Sequence, residues 1–200
     1  MRRPIWLRGS LVALSLVLGG LVAGRAASGA SRERRFFSAR LGVGVDAPSG
    51  WTLSLHTGYP EILCVVLHPD GSRISLSAAV TKAADAKALA EQSRRGLEAQ
   101  HLSITRVGPG PRGGVLLEAR GAGRPTELRQ LYIVRPAGGG KSQGVVLTLS
   151  TRTELLANAA PAFDWTIAHL ALEPPAGADE AAVPDGGVTP VPRADSRVSP

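Results

Sequence analysis

Between residues 41 and 173 the chain repeatedly places apolar side chains at every second position and closes each short run with glycine or proline. A period of two buries one face of an extended segment and wets the other, so this stretch must build mostly β-strands. Trp51, Leu53 and Leu55 alternate with Thr52, Ser54 and His56, the pattern of a half-buried strand. After Glu61, the run Ile62–Leu67 is apolar throughout, as expected of a strand covered on both faces. His68-Pro69-Asp70-Gly71 then supplies a turn, with proline presetting φ and glycine free to adopt a positive one. Ile74, Leu76, Ala78 and Val80 alternate on the way back, so 61–80 is expected to be a hairpin. Further strands are expected near 102–107, 114–120, 127–135 and 143–150.

Two segments change period. From Lys82 to Gln100, Ala86, Leu89, Ser93 and Leu97 share a helical face, opposite Glu91, Arg94, Arg95 and Glu98. Asp85 is suited to cap this helix, because its carboxylate can accept from first-turn N–H groups. Near the end, Leu156, Phe163, Ile167 and Leu170 form a second stripe, with Trp165 beside it. Pro161 would clash with the carbonyl four residues earlier, so this helix should begin near Asn158 or kink at the proline. The expected class is α+β: a central antiparallel β-sheet with two main helices packed on it.

Neither end of the chain has this character. Arg2, Arg3 and Arg8 precede an uncharged run from Gly9 to Gly24, and small residues follow. At 16 residues this run is shorter than the roughly 20 a spanning helix needs. Residues 1–30 are therefore expected to be a secretory signal peptide, with an uncleaved anchor as the alternative. Export to the periplasm or the extracellular side follows in either case. Residues 31–40 form a basic linker with one aromatic pair, Phe36 and Phe37, readable as a strand-like lead-in or a mobile arm. Residues 174–200 hold six prolines and three glycines with almost no bulky apolar side chains, and are expected to be disordered. The single cysteine, Cys64, rules out an internal disulfide and is most simply a small buried hydrophobe.

The formal charge of +7 sits mainly in the leader and linker; residues 41–173 carry 13 basic and 11 acidic side chains, a net of only +2. A nucleic-acid binder would concentrate its excess on the folded unit, so that class is excluded. Three apparent motifs fail on context. Gly108-Pro109-Gly110-Pro111-Arg112-Gly113 fits G-x-G-x-x-G, but a strand follows it instead of the helix N-terminus that a pyrophosphate requires. Gly139-Gly140-Lys141-Ser142 imitates the end of a P-loop, yet Arg135 stands where the first glycine belongs. Gly140-Lys141-Ser142-Gln143-Gly144 fits G-x-S-x-G, but a nucleophile elbow needs a helix after the serine. His56, His68, His101 and His169 have no metal-ligand spacing. No catalytic, cofactor-binding or metal-binding residues are therefore assigned, and no cofactor is expected.

The element order, together with Val45-Asp46-Ala47-Pro48-Ser49-Gly50-Trp51, resembles the PsbP/DcrB-like family. In that family an extended segment ends in a Pro-x-Gly-Trp turn that opens the next strand. The resemblance spans 41–173 and implies a sheet-and-helix sandwich among accessory and binding proteins rather than enzymes. The expected function is thus a non-catalytic exported accessory or protein-binding module of the cell envelope. The alternative is a small-molecule or lipid carrier with a sheet–helix cleft. The expected partner is an envelope protein, not nucleic acid, with membrane contact only if the N-terminal segment is retained.

Overall fold

A computed structural model describes residues 34–55, 57–58, 61–123 and 125–174. The signal-peptide expectation for 1–30 and most of the tail lie outside them. The elements run β1 (Arg35–Ser38), β2 (Val43–Asp46), β3 (Thr52–Ser54), β4 (Ile62–Leu67), β5 (Arg73–Thr81), α1 (Ala86–Ala99), β6 (Leu102–Pro109), β7 (Val115–Gly121), β8 (Thr126–Pro136), β9 (Ser142–Arg152), α2 (Leu156–Ala168) and β10 (Ala171–Leu172). Seven strands form one sheet in the order β3-β4-β5-β9-β8-β7-β6, and β1-β2-β10 form a second, smaller one. Every paired ladder is antiparallel. The expected α+β class, a large antiparallel sheet with two helices, is the fold observed.

Strand alternation sends residues to opposite faces of the large sheet and so builds two cores. Ile74, Leu76, Leu131, Leu147 and Leu149 join Val43 and Val45 of the small sheet and Phe163 and Ile167 of α2 in one cluster. Leu117, Leu128, Tyr132 and Val146 form the other with Leu89 and Leu97 of α1. The layers cross the sheet diagonally: α1 lies over β6, β7 and β8, whereas α2 lies over β9 on the opposite face. Gly144 permits the approach of α1, because a Cβ there would stand 2.9 Å from Leu89 Cδ2.

Three local expectations are refined. Residues 35–38 of the basic linker are a strand paired to β2, so the lead-in reading is the one the structure takes. The apolar run in β4 is covered on one face only: Cys64 and Val66 are buried, while Leu67 is 41% exposed. Apolarity alone could not locate α1, which reaches β9 but not β4 and so leaves that face of β4 open. The last helix starts at Leu156, ahead of Asn158, and runs through Pro161. Proline forfeits the bond to Ala157, whose carbonyl belongs to an exposed residue that water can serve.

The capped hairpin turn behaves as its chemistry demands. Gly71 takes φ +92°, and Asp70 Oδ1 accepts from the Ser72 backbone N–H at 2.7 Å. Asp85 likewise accepts from Ala88 N at 2.7 Å at the start of α1. Phe163 is fully buried, so Phe163→Ala should lower the unfolding free energy by about 3–5 kcal/mol. Val80→Ala, at a position 64% exposed, should shift it by less than about 0.5 kcal/mol. Urea titration of both variants checks the contrast.

Candidate functional site

The groups that would carry chemistry sit where strands and layers use them. Cys64 is 1% exposed, facing the core from β4, and burial pushes its thiol up to about 12 against a weaker opposing hydrogen bond to the Leu76 backbone. A thiol so held is neither a nucleophile nor a metal ligand at neutral pH. Ser142 opens β9 as the ladder partner of Thr81 and Pro136, and no helix follows it. The 108–113 loop runs into β7, and Gly138, Gly139 and Gly140 all take positive φ in the β8–β9 hairpin. Both glycine motifs are thus turns between strands.

The imidazoles meet aromatic rings and a carboxylate. His68 lies with its ring centroid 5.1 Å from that of Trp51, and its Nδ1 is 3.0 Å from Asp70 Oδ1. A serine is near, but Ser72 Oγ bonds to Thr151 Oγ1 at 2.7 Å rather than to His68. His169 stacks on Trp165 at 3.8 Å, with Nδ1 2.8 Å from the Trp165 carbonyl oxygen. Ser142 stands at the other end of β9 from Ser150, the partner of Arg73 beside the His68 turn, about 26 Å along the strand. His56 lies outside the described residues. Among the described residues no cluster of three or more His, Cys, Asp or Glu side chains is arranged to hold a metal.

Two polar clusters were not anticipated. Arg135 donates from Nη1 to Glu173 O at 2.6 Å, from Nη2 to Leu41 O at 2.7 Å and Gly42 O at 2.8 Å, and from Nε to Gln143 Oε1 at 2.8 Å. Desolvation lowers the guanidinium's pKa from its ordinary value, and four of its five N–H groups are taken up by protein acceptors. Arg135 is therefore a staple joining the small sheet to the large one. The second cluster lies at the edge of α1, where Tyr132 Oη donates to Gln130 Oε1 at 2.6 Å and Gln130 Nε2 donates to Thr148 Oγ1 at 3.1 Å. Burial raises the Tyr132 phenol to about 12, against a lowering hydrogen bond with Ser93 of α1.

What remains open to a partner is the half of the sheet that α1 does not reach. Cross-strand register aligns Ser54, Val65 and Ser75 with Thr148 in one row, and Thr52, Leu67 and Arg73 with Ser150 in the next. Leu67 is the large apolar side chain exposed on that hydroxyl-rich surface. An antiparallel sheet tolerates such a wet face, so geometry gives it accessibility and hydrogen-bonding capacity, not a reaction.

No protein-family model matches the chain, and no curated protein matches it in sequence. Solved structures do match in fold. The chain is similar to the solution structure of cyanobacterial PsbP (CyanoP) from Synechocystis, with a TM-score of 0.53 at 13% identity over 76% of this chain and 99% of that one. It is also similar to the crystal structure of LpqN, involved in cell envelope biogenesis of Mycobacterium tuberculosis. There the TM-score is 0.54 at 14% identity, over 66% of this chain and 83% of that one. At these identities the likeness is one of architecture: the fold is PsbP-like. The Pro48-Ser49-Gly50-Trp51 element does in this structure what the resemblance implied. Trp51 N donates to Pro48 O at 3.1 Å and Gly50 takes φ +81°, a turn that passes the chain from β2 of the small sheet to β3 of the large one.

Two measurements follow. Arg135→Lys replaces a fork serving four acceptors with a single ammonium, and should lower stability by about 2 kcal/mol in urea titration despite the retained charge. Asp70, whose pKa is lowered because hydrogen bonds from Ser72 and His68 outweigh the raising effect of burial, contributes stability that is fully present above about pH 4. That contribution vanishes as pH falls through the depressed native pKa. Asp70→Asn should lose about 1 kcal/mol at pH 7 and approach wild type in acid, as read from unfolding midpoints across pH.

Proposed function

We propose that this chain is a non-catalytic accessory or protein-binding module of the cell envelope, exported by its N-terminal segment. The carrying observation is the withdrawal of its candidate nucleophiles: Cys64 is sealed in the core and Ser142 is built into a ladder remote from His68. The PsbP-like fold it shares with CyanoP and with LpqN, itself involved in cell envelope biogenesis, supports the same reading. Among the described residues no helix is long and apolar enough to cross a membrane, so membrane attachment on this reading falls to the retained N-terminal segment alone.

The partner on this reading is an envelope protein. Nucleic acid is disfavoured because many cations are already matched: Arg94 with Glu91 and Glu98, Arg120 with Glu127, Arg129 with Glu118 and Arg152 with Glu154. The carrier alternative has less support. Leu89 and Leu97 of α1 share one buried cluster with Leu117, Leu128 and Tyr132, so the protein's own side chains occupy that sheet–helix interface.

The open sheet face gives the test. A photo-cross-linking amino acid placed at Leu67 or Ser75, in cells, should capture one discrete envelope protein. The same group at Lys87, exposed on α1, should not capture it. Equal capture at all three positions, or none at any, would sink the proposal.

A further inference from the structure

Trp51 and His68 occupy the position just past the end of the β3–β4 ladder. That ladder pairs Thr52 with Leu67, so Trp51, one residue earlier, and His68, one residue later, stand across from each other at its rim. Their ring centroids are 5.1 Å apart and their planes inclined by 43°. Among the described residues β3 pairs with β4 alone and is three residues long, so this ring contact is the cross-strand pair that must part when its start frays. Two groups compete for one imidazole nitrogen. Nδ1 stands 3.0 Å from Asp70 Oδ1, an acceptor, and 3.4 Å from the backbone nitrogen of Asp70, a donor. A neutral ring meets one or the other according to its tautomer, whereas a protonated ring carries a hydrogen on Nδ1 and is committed to the carboxylate. Asp70 Oδ1 is itself fixed by the Ser72 N–H at 2.7 Å, and Ser72 Oγ by Thr151 Oγ1 of β9 at 2.7 Å.

We propose that His68 is a proton-operated latch on the edge strand: a proton taken up from solvent pairs the ring with Asp70, sets its positive charge against the Trp51 indole and so holds β3 to β4. A cation within about 6 Å of an indole centroid is attracted by the ring, and the observed separation meets that limit. Charged groups on the neighbouring segments are engaged elsewhere. Arg34 donates to the Ala47 carbonyl at 3.3 Å, Asp46 pairs with Arg35 at 3.6 Å, Arg152 pairs with Glu154 at 3.2 Å, and Arg73 belongs to the open-face row of Leu67. Asp70 thus supplies the carboxylate. Burial raises its pKa, but hydrogen bonds from Ser72 and His68 outweigh that and hold it below the ordinary value, so it stays ionised in mild acid. The latch is therefore closed in mild acid and released as pH rises through the imidazole's titration. Thr52 and Leu67 share a row of the open face, so the latch sets how firmly the outer strand of that face is held. That consequence rests on the open face being the docking surface; the latch itself does not.

Amide hydrogen exchange of the full chain, with no partner present, reads the latch alone. After correction for intrinsic rates, the β3 amides of Thr52–Ser54 should be about fivefold better protected at about pH 5.5 than at about pH 7.5, a shift that one exposed ion pair and one cation–π contact suffice to produce. The β1 amides, on the edge strand of the small sheet, should show no such difference. His68→Gln should abolish the difference in β3, and Asp70→Asn should reduce it at least about twofold. A difference that persists in His68→Gln, that appears equally in β1, or that is missing from the wild type overturns the proposal. Failure of the cross-linking at Leu67 and Ser75 leaves these exchange rates untouched, so the two readings fall separately.

Discussion

The ladder between β8 and β9 is the constraint on which the rest of the structure depends. Each strand is 11 residues long, and their register runs unbroken from Thr126 with Arg152 to Pro136 with Ser142. Alternation along β9 sends Val145, Leu147 and Leu149 into the core beneath the small sheet and α2, and Val146 into the core beneath α1. One backbone thus serves two hydrophobic layers, so a slip of one residue would exchange both sets of side chains at once. The outer strands need only one buried face, which is why β4 and β5 present serines and Leu67 to solvent without loss of the fold.

Burying polar groups beside such aliphatic layers is tolerable only when each finds a partner. The Tyr132, Gln130 and Thr148 chain satisfies this under α1, and Arg135 satisfies it at the seam between sheets. Magnitudes separate these from the surface pairs. Hydrogen bonds to a charged group contribute about 1.5–3 kcal/mol, whereas an exposed ion pair contributes about 0–1 kcal/mol. The Arg94 contacts to Glu91 and Glu98 are short, 2.7 and 2.6 Å, but lie on a solvated helix face. Arg135 therefore matters more to the assembly of the layers than the more visible charge pattern on α1.

Period and punctuation made the architecture legible. Alternation exposed β3, β5 and later strands, a continuous apolar run exposed β4, Asp85 marked the start of α1, and Pro-Ser-Gly-Trp marked the passage between sheets. What pattern could not supply was partnership across the fold. The apolar run in β4 looks the same whether one face or two are covered, and only the position of α1 decides. Nothing around Arg135 in the sequence announces that three of its acceptors are carbonyls of Leu41, Gly42 and Glu173, far away in the chain. Gln130 was the missed signal: it sits between Leu128 and Tyr132 on one inward face, a buried polar position that alternation itself defines. The rejected motifs were decidable early because each required a helix after the loop, and strand periodicity follows instead.

The two ends of the folded unit leave from opposite poles, which orients whatever surface is used. Arg34 exchanges backbone contact with Ala47, at the far end of β2 from Gly42, where Glu173 N donates to the Gly42 carbonyl at 2.8 Å. A leader that holds the chain at a bilayer would draw in the Arg34 pole, with Trp51 and His68 behind it. The Arg135 pole, with Trp165 and the departing C-terminal segment, would then point away from the membrane. The open face of β3, β4 and β5 runs between the two poles and stays accessible in that pose. On the proposed reading, a tether at the Arg34 pole would leave the open face of β3, β4 and β5 turned to solvent.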